Sequence, residues 1–160
     1  QDMGYSKDEI ASVTKIFGVL MTIVGSFFGG FLTLKYGVMR VLMLGAILVS
    51  LTNLMFMWLA GVDANIFALT LVIAADNLSG GVAVAAFVAW LSSLTNISFT
   101  ATQYAMFSSI MTLFPKLLGG YSGTVVESVG YSSFFLIAGA MGLPVIVLIW
   151  YLNRRIETSA

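Results

Sequence analysis

Five apolar blocks of helical length, parted by short breaks, constrain this chain more than any other feature. They lie near residues 7–34, 39–60, 65–93, 100–123 and 132–152. A helix needs about 20 residues to cross roughly 30 Å of hydrocarbon, and each block is of that order. Charge points the same way. Seven Lys or Arg and seven Asp or Glu make up only 9% of the 160 residues, against 59% hydrophobic and a further 16 Gly, where soluble domains carry roughly 25% charged residues. So few polar groups could not cover a soluble domain of this size. The chain reads as an all-α membrane protein of about five transmembrane helices, with the lipid bilayer as its surroundings.

The same composition removes whole classes of function. There is no Cys and no His, which takes away a disulfide framework, a thiol nucleophile, the main zinc ligands and the commonest general base. No catalytic residue, metal or cofactor is expected. Net charge is zero and no basic cluster occurs, which excludes the basic face that nucleic-acid binding requires. The chain opens Gln1-Asp2-Met3, with neither an initiator Met nor a signal-peptide pattern, and is expected to be a piece of a longer protein.

Two blocks carry helix-start signals. Ser6-Lys7-Asp8-Glu9 forms a capping box, with Tyr5 and Ile10 as its hydrophobic staple, and Thr100-Ala101-Thr102-Gln103 repeats the device with Phe99 and Tyr104. Capping and the helix dipole account for Asp8 and Glu9 without catalysis. Orientation follows from the basic residues of the loops. Lys35 and Arg40 lie between the first two helices, and Arg154 and Arg155 follow the last, whereas the alternate loops hold only Lys7. The N-terminal end is therefore expected outside and the C-terminal end inside, as five spans require.

A charge in the apolar zone costs at least ~2.5 kcal/mol on insertion scales and persists where it faces a bundle interior or water. The second and fifth helices carry none between Val41 and Ala60 or between Phe134 and Leu152. The first, third and fourth carry one each: Lys15, Asp76 and Lys116. Each falls on a small or polar stripe of helical period. The stripes run Ala11, Lys15, Gly18, Thr22, Gly25, Gly29, Thr33 on the first helix and Ala105, Ser109, Thr112, Lys116, Gly119, Gly123 on the fourth. The third has a shorter one of Asp76, Gly80 and Ala83, with Asn77 and Ser79 beside it. At about 1.5 Å per residue Asp76 sits ~16 Å deep, near the bilayer middle. Lys15 and Lys116 lie in the outer half, able to snorkel or to reach down toward it. Two readings follow: a structural ion pair, or a site exchanging protons and anions, to which Asn77 and Thr112 would add polar contacts. The spacings Gly25 to Gly29 and Gly119 to Gly123 predict close helix packing, and Pro115 and Pro144 predict kinks.

The first loop is more specific. Gly30-Phe31-Leu32-Thr33-Leu34-Lys35-Tyr36-Gly37-Val38-Met39-Arg40 resembles the loop signature of the major facilitator superfamily. Gly30, Lys35, Gly37 and Arg40 match, while Leu34 replaces its acid and Met39 one of its bases. Degenerate copies of this kind belong between the eighth and ninth helices of such transporters. The resemblance implies a partial C-terminal helical bundle, with the first, third and fourth helices lining a central cavity and the second and fifth at the periphery. The three charged helices are the three it assigns to the cavity.

Within that superfamily the chain resembles the AmpG-type muropeptide permeases and acetyl-coenzyme A transporter-like proteins. The matching stretches include Lys15-Ile16-Phe17-Gly18, Asp76-Asn77-Leu78-Ser79-Gly80-Gly81 and Phe99-Thr100-Ala101-Thr102-Gln103-Tyr104-Ala105. The resemblance implies a bacterial inner-membrane carrier importing anhydro-muropeptides on the proton gradient, its N-terminal end periplasmic and its C-terminal end cytoplasmic. Asp76 would hold the coupling proton, and Lys15, Lys116, Asn77 and Thr112 would meet the small-molecule substrate. Gly30, Lys35, Gly37 and Arg40 would form a gating loop, and an N-terminal helical bundle of the same transporter would complete the site. A carrier of another organic anion, such as an acyl-coenzyme A-like one, and a non-transporting membrane domain are the alternatives.

Overall fold

The structure, a computed structural model, describes residues 10–11, 13–95 and 100–157. Among the described residues every regular element is helical. A π-helical segment, Val13–Gly18, leads into α1 (Val19–Tyr36); then come α2 (Val38–Leu59), α3 (Ile66–Ser93), α4 (Thr100–Gly120) and α5 (Ser122–Glu157). The π-helical start is new relative to the sequence reading, which runs one regular helix through residues 7–34. The Ser6–Glu9 capping box lies outside the described residues, as do Phe99 and the Thr100 side chain of the second.

Turns set the element ends. Gly37 alone separates α1 from α2, with φ 87° and ψ 154°, and its N–H donates to the Thr33 carbonyl at 3.0 Å. Side chains are costly in that conformation, so glycine is the residue that lets two helices meet there. Asn65 caps α3: its side-chain oxygen accepts from the N–H groups of Phe67 at 2.9 Å and Ala68 at 3.4 Å, satisfying donors that a helix start leaves unpaired.

The C-terminal third departs from expectation. The break expected at residues 124–131 is mostly helical: α4 ends at Gly120, and Gly130, with φ 78° and ψ 162°, is a non-helical kink that parts α5 into two helical legs, residues 122–129 and 131–157. Glu127 thereby falls on the shorter leg of α5, and Arg154 and Arg155 on its last turn. Both prolines lie inside helices that continue through them. Among the described residues four helices are long and apolar enough to cross a membrane: Lys15–Tyr36, Val38–Leu59, Ile66–Ser93 and Ser122–Arg155. α4 is long enough, but its stripe of Thr, Gln, Ser and Lys lowers its apolarity below theirs.

Packing is carried by small residues. In lipid, helices gain little from burying apolar surface against each other and associate through close van der Waals contact. Where α1 crosses α3, a Cβ on Gly25 would collide with the Leu78 carbonyl, and one on Gly81 with the Thr22 carbonyl. Gly29 meets the Val82 backbone in the same seam. The first-helix stripe is therefore in large part a packing face against α3 rather than a cavity wall. Two apolar clusters flank the centre, one of Leu59, Leu69, Val72 and Ile73, the other of Val41, Leu42, Val82, Ala86 and Ile149. Outward side chains such as Phe27 (77% exposed) and Leu34 (90%) are apolar, as lipid requires. Gly119 and Gly123 have nothing within 4 Å of where a Cβ would be, so the close packing expected of that pair does not form among the described residues.

Candidate functional site

Asp76 and Asn77 occupy the middle of α3, ten and eleven residues past Ile66. Successive helical residues point about 100° apart, so the two address different neighbours. Asp76 turns to α2, where the Thr52 hydroxyl donates to its Oδ1 at 2.9 Å. Thr52 is 4% exposed and also reaches the Val49 carbonyl at 3.0 Å. Asn77 turns to α1, where the Thr22 hydroxyl reaches its Oδ1 and the Gly18 carbonyl, both at 3.0 Å. The Asn77 amide donates to the Ile73 carbonyl at 2.8 Å. Gly18 leaves the room this needs, since a Cβ there would stand 3.2 Å from Asn77 Nδ2. Mid-depth polarity is thus held by hydroxyl groups on both flanking helices.

The two lysines stand apart from this cluster. Lys15, in the π-helical segment, and Lys116, just after Pro115 on α4, are both exposed, and neither pairs with Asp76 or any other described residue. The ion-pair reading of these three charges is therefore not what the described residues form. Thr112 is exposed, its hydroxyl turned back on the Ser108 and Ser109 carbonyls of its own helix at 3.0 and 3.2 Å. The remaining stripe residues of α4, Ala105, Ser109, Gly119 and the following Gly123, are exposed as well. α4 touches α3 and α5 only sparsely.

Of the four residues of the loop signature, Gly30 and Lys35 lie on the last turns of α1, Gly37 makes the turn and Arg40 lies in the first turn of α2. Gly30 has open space around it. Lys35 is exposed with its Nζ 5.1 Å from the Tyr36 ring centroid. Arg40 borders a groove of about 240 Å³ with Leu32, Tyr36 and Leu44. At the far end of α5, Arg154 lies 4.3 Å from the Trp150 centroid, and Arg155 donates to the Tyr151 hydroxyl at 3.0 Å. Paired cations and aromatics of this kind suit a membrane–water interface.

Thr52 escaped the sequence reading, which treats the second helix as peripheral and charge-free. Its signal was the polar interruption Ser50-Leu51-Thr52-Asn53 halfway along an otherwise apolar helix. Ser50 and Asn53 also border a cavity of about 490 Å³ with Ala83, Phe87, Met111 and Val145, a space walled almost wholly by apolar side chains.

The model of the Major Facilitator Superfamily matches residues 1–160. The chain belongs to the Major Facilitator Superfamily. Among relatives, a protein named AmpG 4 in Rickettsia felis is 33% identical over 156 residues, which are 98% of this chain and 38% of the relative. The anhydromuropeptide permease of Escherichia coli K12 is 32% identical over 155 residues, 97% of this chain and 32% of the permease. An uncharacterized protein of Haemophilus influenzae is 37% identical over 166 residues, covering 99% and 39%. The chain thus spans about a third to two fifths of the length of these superfamily relatives. Its helices and its similarity to permeases make it part of a multi-pass membrane protein of a transporter superfamily.

Proposed function

We propose that this chain forms the second-half helical bundle of a proton-coupled carrier, not an enzyme, that imports anhydro-muropeptides across the bacterial inner membrane. In this reading α1 to α5 are helices eight to twelve, the N-terminal end is periplasmic and the C-terminal end cytoplasmic. Carriers of this kind rock two bundles about a midplane site, so a first bundle preceding these helices completes the site. The name of the Escherichia coli relative supports the substrate class.

The observation that carries the coupling role is the pairing of Asp76 with a hydroxyl rather than a cation. A carboxylate locked to Lys or Arg resists protonation, because the partner's charge favours the ionised form. A hydroxyl can donate to the ionised carboxylate or accept from the protonated acid, so Asp76 can change charge without losing its neighbour. Lys15 and Lys116, exposed and unpaired among the described residues, are available to the carboxylates of a muropeptide. Asn77 and Thr112 supply polar contacts, and the Gly30, Lys35, Gly37 and Arg40 turn serves as the gating loop.

The test uses the complete transporter reconstituted in vesicles. Asp76→Asn should abolish uptake of labelled anhydro-muropeptide driven by a proton gradient while preserving exchange of labelled for unlabelled substrate. Undiminished gradient-driven uptake would remove Asp76 from coupling.

A further inference from the structure

We infer that Thr52, on α2, is a positioning residue that presents Asp76 in both of its protonation states. The inference rests on the coupling role proposed for Asp76. Its own basis is the geometry around one hydroxyl. Thr52 Oγ1 lies 2.9 Å from Asp76 Oδ1 and 3.0 Å from the Val49 carbonyl oxygen, yet it has a single proton to give. Both neighbours are acceptors when Asp76 is ionised, so they compete for that proton, and the charged oxygen is the stronger acceptor. When Asp76 takes a proton from water, its O–H becomes a donor. The Thr52 proton can then turn to Val49 while Thr52 accepts from Asp76. The hydroxyl gains and loses no proton, and its hydrogen bond to Asp76 reverses direction.

The site is built for this. Thr52 is buried at 4% exposure and fixed on α2, so the carboxyl is held in one place through the cycle. Among the described residues no charge competes for the role. On the elements packed against α3, the titratable and charged groups are Lys15 in the π-helical segment, Lys35 and Tyr36 closing α1, Arg40 opening α2, and Tyr104 and Lys116 on α4. None of them bonds to Asp76. Asp76 is the one ionisable residue of α3 itself.

A hydrogen bond to an ionised group is worth more than one between neutral groups. Losing Thr52's hydroxyl therefore weakens the ionised state more than the protonated one. In the complete transporter, Thr52→Val should move the pH at which proton-driven uptake falls to half upward by about half a unit to one unit, a threefold to tenfold change in proton concentration. Thr52→Ser, which keeps the hydroxyl, should restore the wild-type profile, and substrate exchange should persist in both. If Thr52→Val fails to insert, Thr52→Ala makes the same comparison with Thr52→Ser. An unchanged profile in the hydroxyl-free variant, with Asp76→Asn still inactive in gradient-driven uptake, would overturn the role of Thr52 and leave that of Asp76 standing. Equal shifts in the serine and valine variants would assign the effect to packing and overturn it too. Full uptake by Asp76→Asn would remove both roles together.

Discussion

The crossing of α1 and α3 sets the distance between the Thr22–Asn77 contact and the rest of the site, and its tightness can be tested at one glycine pair. Gly80 and Gly81 are adjacent on α3, but a Cβ on Gly80 would meet nothing within 4 Å. One on Gly81 would strike the Thr22 carbonyl and stand 2.7 Å from the Ser26 nitrogen, where ordinary Cβ contacts are 3.4–4 Å. The obstacles are backbone atoms, which cannot swing aside as a flexible side chain would. Gly81→Ala must therefore push the helices apart by roughly 1 Å, and overpacking of this kind costs about 1–3 kcal/mol. The same displacement stretches the 3.0 Å Thr22–Asn77 bond past hydrogen-bonding range, a further loss of about 0.6 kcal/mol on the average for such bonds in membranes. Thermal unfolding of the complete protein in detergent should show the Tm of Gly81→Ala lowered by roughly 2–4 °C. Gly80→Ala should match or exceed wild type, because alanine is about 0.8–1 kcal/mol better than glycine inside a helix. A Gly81→Ala protein as stable as Gly80→Ala would refute the reasoning, since both substitutions bring the same helix propensity and differ only in what the methyl meets.

Two further outcomes are expected. Gly37→Ala and Gly130→Ala place a side chain at φ of 87° and 78°, which should cost about 1–3 kcal/mol each; equilibrium denaturation checks this, and a neutral result at Gly37 would mean that the α1–α2 turn can relax. Lys15→Gln and Lys116→Gln should raise the KM for muropeptide uptake several-fold while leaving stability within about 0.5 kcal/mol. Unchanged KM in both variants would take the lysines out of substrate binding.

Helix positions were legible because a run of about 20 apolar residues in a chain with so few charges has one economical solution. Where that signal weakens, so did the reading. The polar stretch at residues 124–131 reads as a loop, but polar side chains do not by themselves interrupt a helix; the helical path breaks instead at Tyr121 and at Gly130, with its positive φ. The stripe on α1 was legible as a face but not as a function. Gly and Thr at helical period suit a cavity wall and a close crossing equally, and the difference lies in the opposing helix. Here that helix brings the Leu78 and Val82 backbone against Gly25 and Gly29, which makes most of the stripe a seam. On α4 the same kind of stripe meets no such partner among the described residues and stays exposed.

The pairing of Asp76 with Thr52 shows where charge arguments stop and depth arguments should begin. Sorting helices by ionisable residues led to Asp76 and away from α2, because a hydroxyl carries no charge to notice. Yet α2 and α3 form an antiparallel hairpin, with α2 ending at Leu59 and α3 beginning at Ile66, and residues at similar distances from such a turn lie at similar depth. Asp76 is ten residues into α3 and Thr52 seven residues before the end of α2, about 15 and 10 Å from their helix ends at 1.5 Å per residue, a difference of less than one 5.4 Å turn. Of the polar residues near that level, Ser50 donates to the Ala46 carbonyl and Asn53 to the Val49 carbonyl, while Thr52 hydrogen-bonds across to α3. Counting from the hairpin turn narrows the partner of a mid-span carboxyl to one turn of the neighbouring helix, and the buried hydroxyl within that turn completes the assignment.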